Sequence, residues 1–306
     1  MWFLRLTALL ALGMSGCNSC EPGAVPKGTP SAGASADATP GRSEVRSVQF
    51  SASDGVVLAG ELRAALEPSA PAVVLIHRAT SDRSEWQPLV ERLGRASKRY
   101  AILSFDLRGH GRSAAGPADG SAGADAPEGF VRDVNAAVEC VLKETGAPSV
   151  VLVGSSLGAT LAARVAFAQP KVSALALISP GAAIQGVDVY RPYAEVRNLP
   201  TFVAAAEADT VSKDPLRTLA KMAMAGTSKT YAGEVHGAGF LGERHAEFWQ
   251  DLEAWLMSVH QETPRERRSL YYAEGLKPDA APKRPEQRAQ STHALSGTRS
   301  SAGKQE

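Results

Sequence analysis

Apolar and polar positions along this chain follow two alternating patterns. Continuous apolar runs at residues 72–77, 100–105, 150–153, 172–178 and 201–205 read as buried strands. Residues 229–231 form a shorter strand-like run. Between the runs, apolar residues recur at helical spacing. Trp86, Leu89, Val90 and Leu93 form one stripe, and Val134, Ala137, Val138, Val141 and Leu142 another. Leu157, Leu161 and Val165 mark a third, and Phe248, Leu252, Trp255, Leu256 and Val259 the last. Ser84 with Gln87 three residues later suggests a capping box, and Pro88 falls in the first turn, where its missing N–H costs little. Gly146 and Pro148 end the second helix. Residues 45–50 and 56–63 flank Asp54-Gly55, a hairpin signal. Strands separated by helices predict an α/β fold: a mostly parallel sheet of about eight strands, helices on both faces, and an antiparallel hairpin at one edge.

The pattern fades at both ends. Residues 1–16 carry one positive charge and then a short apolar stretch, followed by Ser15-Gly16-Cys17. That stretch is shorter than the roughly 20 apolar residues of a spanning helix, so it reads as a signal peptide. Cys17 after small residues resembles a bacterial lipobox. The resemblance implies lipidation of Cys17 and export to the bacterial cell envelope. Residues 17–43 are rich in Pro, Gly, Ser and Ala, as a disordered tether would be. Residues 262–306 are similar and read as a disordered tail. The folded domain is therefore expected over 44–261. Cys20 and Cys140 read as two unlinked thiols, since a tether gives a disulfide no geometric support.

The formal net charge is +1, from 33 basic and 32 acidic residues, which argues against a nucleic-acid partner. In sheets of this kind, sites lie at the carboxyl ends of strands. There the sequence reads Val150-Val151-Leu152-Val153-Gly154-Ser155-Ser156-Leu157-Gly158. A Gly-x-Ser-x-Gly between strand and helix holds its serine on a sharp, strained turn. The spacing selects Ser156 over Ser155, which has no glycine two positions before it. The N–H of Leu157 becomes one oxyanion donor. The second comes from the loop His77-Arg78-Ala79-Thr80, with Ala79 as the candidate and Arg78 as the alternative. His77 ends a buried strand and reads as a packed structural residue.

A serine nucleophile needs a general base and an acid to orient it. His236 lies in a loop after a strand, whereas His245 begins the last helix, His260 ends it and His293 is in the tail. Asp209 follows the strand 201–205 and precedes His236, with Glu207 as its rival and helix capping as its alternative role.

With Asp106-Leu107-Arg108-Gly109-His110-Gly111-Arg112-Ser113, these motifs resemble the α/β-hydrolase superfamily, most similarly its dienelactone-hydrolase-like esterases. The resemblance implies a Ser156–His236–Asp209 triad, a small-molecule acyl substrate, and neither cofactor nor metal. Relatives often have His-Gly where this chain has His77-Arg78, a departure that bears on the oxyanion loop. It keeps a second reading open, in which the fold serves as a binding module. Peptide and thioester bonds are further substrates of the same chemistry. Only about residues 181–199 separate two core strands, where capped relatives insert a helical lid. Little or no cap is therefore expected.

Overall fold

The structure, a computed structural model, describes residues 21–22, 45–67, 70–96, 99–116, 127–242 and 244–261. Residues 1–16, Cys17, Cys20, His293 and the whole expected tail lie outside them. So does most of the expected tether.

The strands are β1 (Glu21–Pro22), β2 (Val45–Ser51), β3 (Val57–Arg63), β4 (Ala72–Ile76), β5 (Ala101–Phe105), β6 (Val150–Ser155), β7 (Val172–Ile178), β8 (Ala183–Ile184), β9 (Val187–Asp188), β10 (Thr201–Ala206) and β11 (Gly226–Tyr231). The helices are α1 (Gln87–Ala96), α2 (Pro127–Thr145), α3 (Leu157–Ala166), α4 (Tyr190–Val196), α5 (Lys213–Met222) and α6 (Ala246–Gln261). The main sheet runs β1-β2-β3-β5-β4-β6-β7-β10-β11. From β5 to β11 all neighbours are parallel, while β1, β2 and β3 add antiparallel pairings at one edge. Eight of these strands match the expected sheet. The two-residue β1 pairs Glu21 and Pro22 with Gln49 and Val48, inside the segment read as a tether.

Buried strands alternate their side chains between two cores. Val74, Ile76 and Leu152 join the α2 and α3 side, with Val138 and Leu161. Val73, Leu75 and Val153 join the α1 and α6 side, with Leu89, Phe248 and Leu252. This is why those runs are apolar throughout: both faces of the sheet are covered.

The hairpin turn forms at Asp54-Gly55, with Gly55 at φ 83°. Gly146 ends α2 in the left-handed region, at φ 67°, and its N–H returns to the carbonyl of Leu142. One local expectation fails. A 3-10 turn at Arg83–Trp86 precedes α1, and its N-cap is Asp82, whose carboxylate accepts the Ser84 N–H at 2.8 Å. Ser84 is already inside the turn, so its hydroxyl cannot take the cap position.

Between β7 and β10 lie only the β8–β9 hairpin and the seven-residue α4. The little-capped architecture holds at this connection.

Candidate active site

The loops leaving β4, β6, β7, β10 and β11 come together at the carboxyl end of the sheet. Ser156 sits between β6 and α3 at φ 53°, ψ −110°. A non-glycine residue in such backbone is strained, at a cost of roughly 1–3 kcal/mol. Its environment makes the turn obligatory. A Cβ on Gly154 would lie 2.1 Å from the Gly158 carbonyl oxygen, and one on Gly158 would lie 2.0 Å from that of Ile76. The two glycines thus let α3 start directly over β4 and β6. Ser156 N–H donates to the Ile178 carbonyl at 2.9 Å, tying the turn to β7. Leu157 is the first residue of α3, so its N–H belongs to the unpaired donors of a helix start.

Asp209 and His236 are brought together because β10 and β11 are sheet neighbours. His236 Nδ1 lies 2.8 Å from Asp209 Oδ2. The other carboxylate oxygen accepts the N–H groups of Val211 at 3.1 Å and Ser212 at 3.2 Å, just ahead of α5. The N-cap of α5 is Ser212, so Asp209 braces the turn before the helix rather than capping it. Burial pushes its carboxyl up, but donation from His236, assisted by Ser212 and Ser179, outweighs this and holds it below the usual aspartate range. The other described candidates have different surroundings. Glu207 is exposed. His245 stacks edge-on against Phe240. His260 packs against the Tyr100 ring.

The loop of His236 is bonded to the turn of Ser156. Ala238 N–H donates to Ser155 Oγ at 2.9 Å, and Gly237 N–H to Ser179 Oγ at 2.8 Å. Gly237 has φ 62°, and a Cβ there would meet Ser155 Oγ at 2.5 Å. Ser155 and Ser179 thus hold the loop of His236, and no motif in the sequence marked either for this. Ser179 follows β7 directly and itself has φ 49°.

The loop after β4 is fixed by side chains that hold its carbonyls. His77 Nε2 accepts the Leu107 N–H at 2.9 Å, so the ring proton is assigned to Nδ1, which donates to the Arg78 carbonyl at 2.7 Å. In a trans peptide the C=O and the following N–H point oppositely. The Ala79 N–H is therefore turned away from His77. His110 Nε2 lies 2.6 Å from the Ala79 carbonyl. The Arg78 N–H donates to Glu85 Oε1 at 3.1 Å. Of the two candidates, Arg78 has its N–H taken up by Glu85. His77 is fully buried, as expected of a packed residue, and burial lowers its pKa to about 4.

Among the described residues, no group of three or more His, Cys, Asp and Glu side chains is placed to hold a metal ion. Cys140 is buried on α2, remote in sequence from all of these loops.

Known proteins share this architecture. The Pyrococcus furiosus esterase superposes with a TM-score of 0.60 at 16% identity, covering 71% of this chain and 92% of that one. The enol-lactonase of Burkholderia xenovorans superposes with a TM-score of 0.56 at 18% identity, covering 68% and 99%. In sequence, lipase LipV of Mycobacterium tuberculosis is 34% identical over 145 residues, 46% of this chain and 49% of the lipase. The chain thus spans about half the length of that curated relative. The pattern of the alpha/beta hydrolase family matches residues 73–294, most of the chain, and this protein belongs to that family.

Proposed function

We propose that this protein is a serine hydrolase that cleaves carboxylic esters through Ser156, His236 and Asp209. The observation that carries the reading is the 2.8 Å His236–Asp209 pair, on a loop whose Ala238 is hydrogen-bonded to the neighbour of Ser156. Asp209 holds Nδ1, which leaves Nε2 to act as the base. Ser156 Oγ attacks the carbonyl carbon as His236 takes its proton. The N–H groups of Leu157 and Ala79 stabilise the tetrahedral oxyanion. The intermediate collapses as His236 returns the proton to the leaving alcohol. Water, deprotonated by His236, then attacks the acyl-enzyme and frees the acid and Ser156.

The lipase and esterase names among its relatives support an ester as the bond cleaved. The enol-lactonase among its structural neighbours is consistent with a dienelactone-hydrolase-like specificity. The test is a panel of short and medium acyl esters on wild type and Ser156→Ala, with fluorophosphonate labelling of both. Wild type is expected to turn over esters and label at Ser156. Equal turnover by the two proteins would overturn the reading, and a folded wild type that fails to label would favour a binding module.

The proposal extends to location: an exported protein, lipid-anchored in a bacterial membrane through Cys17. The Ser15-Gly16-Cys17 pattern supports it. The mass of the mature N-terminus tests it, and an unmodified Cys17 would remove the anchor.

A further inference from the structure

We propose that Glu85 is a positioning residue of this active site, its buried carboxylate fixing the loop of Ala79 to the turn that packs against the loop of His236. The inference rests on the serine-hydrolase reading.

Glu85 lies in the 3-10 turn Arg83–Trp86, nine-tenths buried at the side chain, with 6% exposure. Two approaches from Arg78 converge on it. The Arg78 N–H donates to Oε1 at 3.1 Å. The Arg78 Nε faces Oε2 at 3.7 Å. The turn that carries Glu85 also packs against the 3-10 turn Gly237–Leu241, which follows His236.

A carboxylate placed here has a defined effect on the oxyanion loop. A free Arg78 N–H beside that of Ala79 would leave the loop two ways to face the substrate. Glu85 removes one of them, and it also holds the Arg78 guanidinium beside the turn. The turn is itself anchored: Arg83 N–H donates to Asp106 Oδ1 at 2.8 Å, and the Arg83 guanidinium pairs with the same carboxylate.

The site also departs from a carboxylate that serves packing alone. Glu85 Oε2 is buried without a hydrogen bond. Burial raises the carboxyl's pKa, against the opposing Ser81, Arg78 and Ser155 groups. A buried carboxylate left with one oxygen unsatisfied is a destabilising feature that packing would not select.

The experiment compares wild type, Glu85→Ala, Glu85→Gln and Ser156→Ala on the best ester of the panel. Fold is checked by circular dichroism and thermal melting. Glutamine keeps an oxygen for the Arg78 N–H, whereas alanine keeps none. Glu85→Ala is expected to lower kcat on the order of 10²-fold, the scale of losing one oxyanion donor, with KM changed less than about threefold. Glu85→Gln is expected to recover about tenfold or more of that loss. The rate of fluorophosphonate labelling at Ser156 should fall in parallel, because phosphonylation uses the same hole. A folded Glu85→Ala with kcat within about threefold of wild type overturns the proposal, as does a Glu85→Gln no better than alanine. If Glu85→Ala does not fold, Glu85→Met takes its place, since it keeps the volume without the acceptor: a folded Glu85→Met with kcat within about threefold of wild type overturns the proposal. Failure of the serine-hydrolase reading is separate, since it appears as unchanged turnover in Ser156→Ala.

Discussion

At His77 both imidazole nitrogens are committed, one accepting the Leu107 N–H and the other donating to the Arg78 carbonyl. The ring has no room for a second proton without losing a bond. Burial accordingly depresses its pKa from 6.5 to about 4, with a contribution from the nearby His110. The sign follows from linkage. Between those two values the unfolded chain binds a proton that the native chain does not, so native stability falls as pH drops through 6.5. The loss is complete below about 4, and its full size is on the order of 3 kcal/mol. His77→Gln, which can donate and accept but does not titrate, should show a flatter stability–pH curve over that interval. Urea denaturation of both proteins from pH 7 to 4 measures it, and parallel curves would refute the assignment. The residues of the proposed triad were legible because chemistry imposes their types and order. Ser155, Ser179 and Glu85 were not. They act by receiving backbone or loop hydrogen bonds from Ala238, Gly237 and Arg78, and no sequence spacing encodes such partners.

Elements depend on a few close approaches. The start of α3 lies so near β4 that a Cβ at Gly158 would meet backbone atoms on both Ile76 and His77. Backbone cannot yield as a flexible side chain can, so Gly158→Ala must displace α3 or the strand end. The expected cost is at or above about 3 kcal/mol, the upper end of ordinary overpacking. Activity should fall further than stability, because the same displacement moves the Leu157 N–H. Gly233→Ala is the control for backbone strain. Gly233 has positive φ, at 101°, whereas Gly158 does not, and a Cβ at Gly233 meets nothing within 4 Å. Chemical denaturation and ester turnover of the two variants separate packing from backbone strain, and a Gly158→Ala as stable as wild type would mean the approach to β4 is unimportant. The long apolar strands were readable to within a residue or two, since both faces are buried. The β8–β9 hairpin and α4 escaped notice: each is short, and α4 buries only Pro192, Tyr193 and Val196, too few for a helical period. Asp82 was passed over as a cap because a 3-10 turn, rather than α1, begins beside it.

On the scale of the whole molecule, the two-sided core explains why so much of the fold could be read from alternating patterns. Helices α2 and α3 cover one face and α1 and α6 the other, leaving the carboxyl ends of the strands as the place for chemistry. How open that end is depends on the connections. The β7–β10 connection, where capped relatives place a lid, holds only a two-residue-strand hairpin and one short helix. Val211, two residues past Asp209, is 55% exposed. Beside it, Gly181 leaves room for Ile184: a Cβ at Gly181 would lie 2.6 Å from one Ile184 carbon and 3.8 Å from a Val211 carbon. Among the described residues this connection adds a small, partly exposed apolar patch and no larger insertion. Under the proposed function no lid movement is needed before an ester reaches Ser156. Turnover of a sparingly soluble ester should therefore rise hyperbolically with concentration and pass through the solubility limit without a jump. Acyl selectivity should favour short chains, because a long chain finds no enclosed surface along which to gain apolar burial. A pH-stat titration of acyl esters of increasing length, across the solubility limit of each, measures both. A sharp rise at the onset of emulsion, or a steady increase in kcat/KM with chain length, would show that another part of the chain covers the site during turnover.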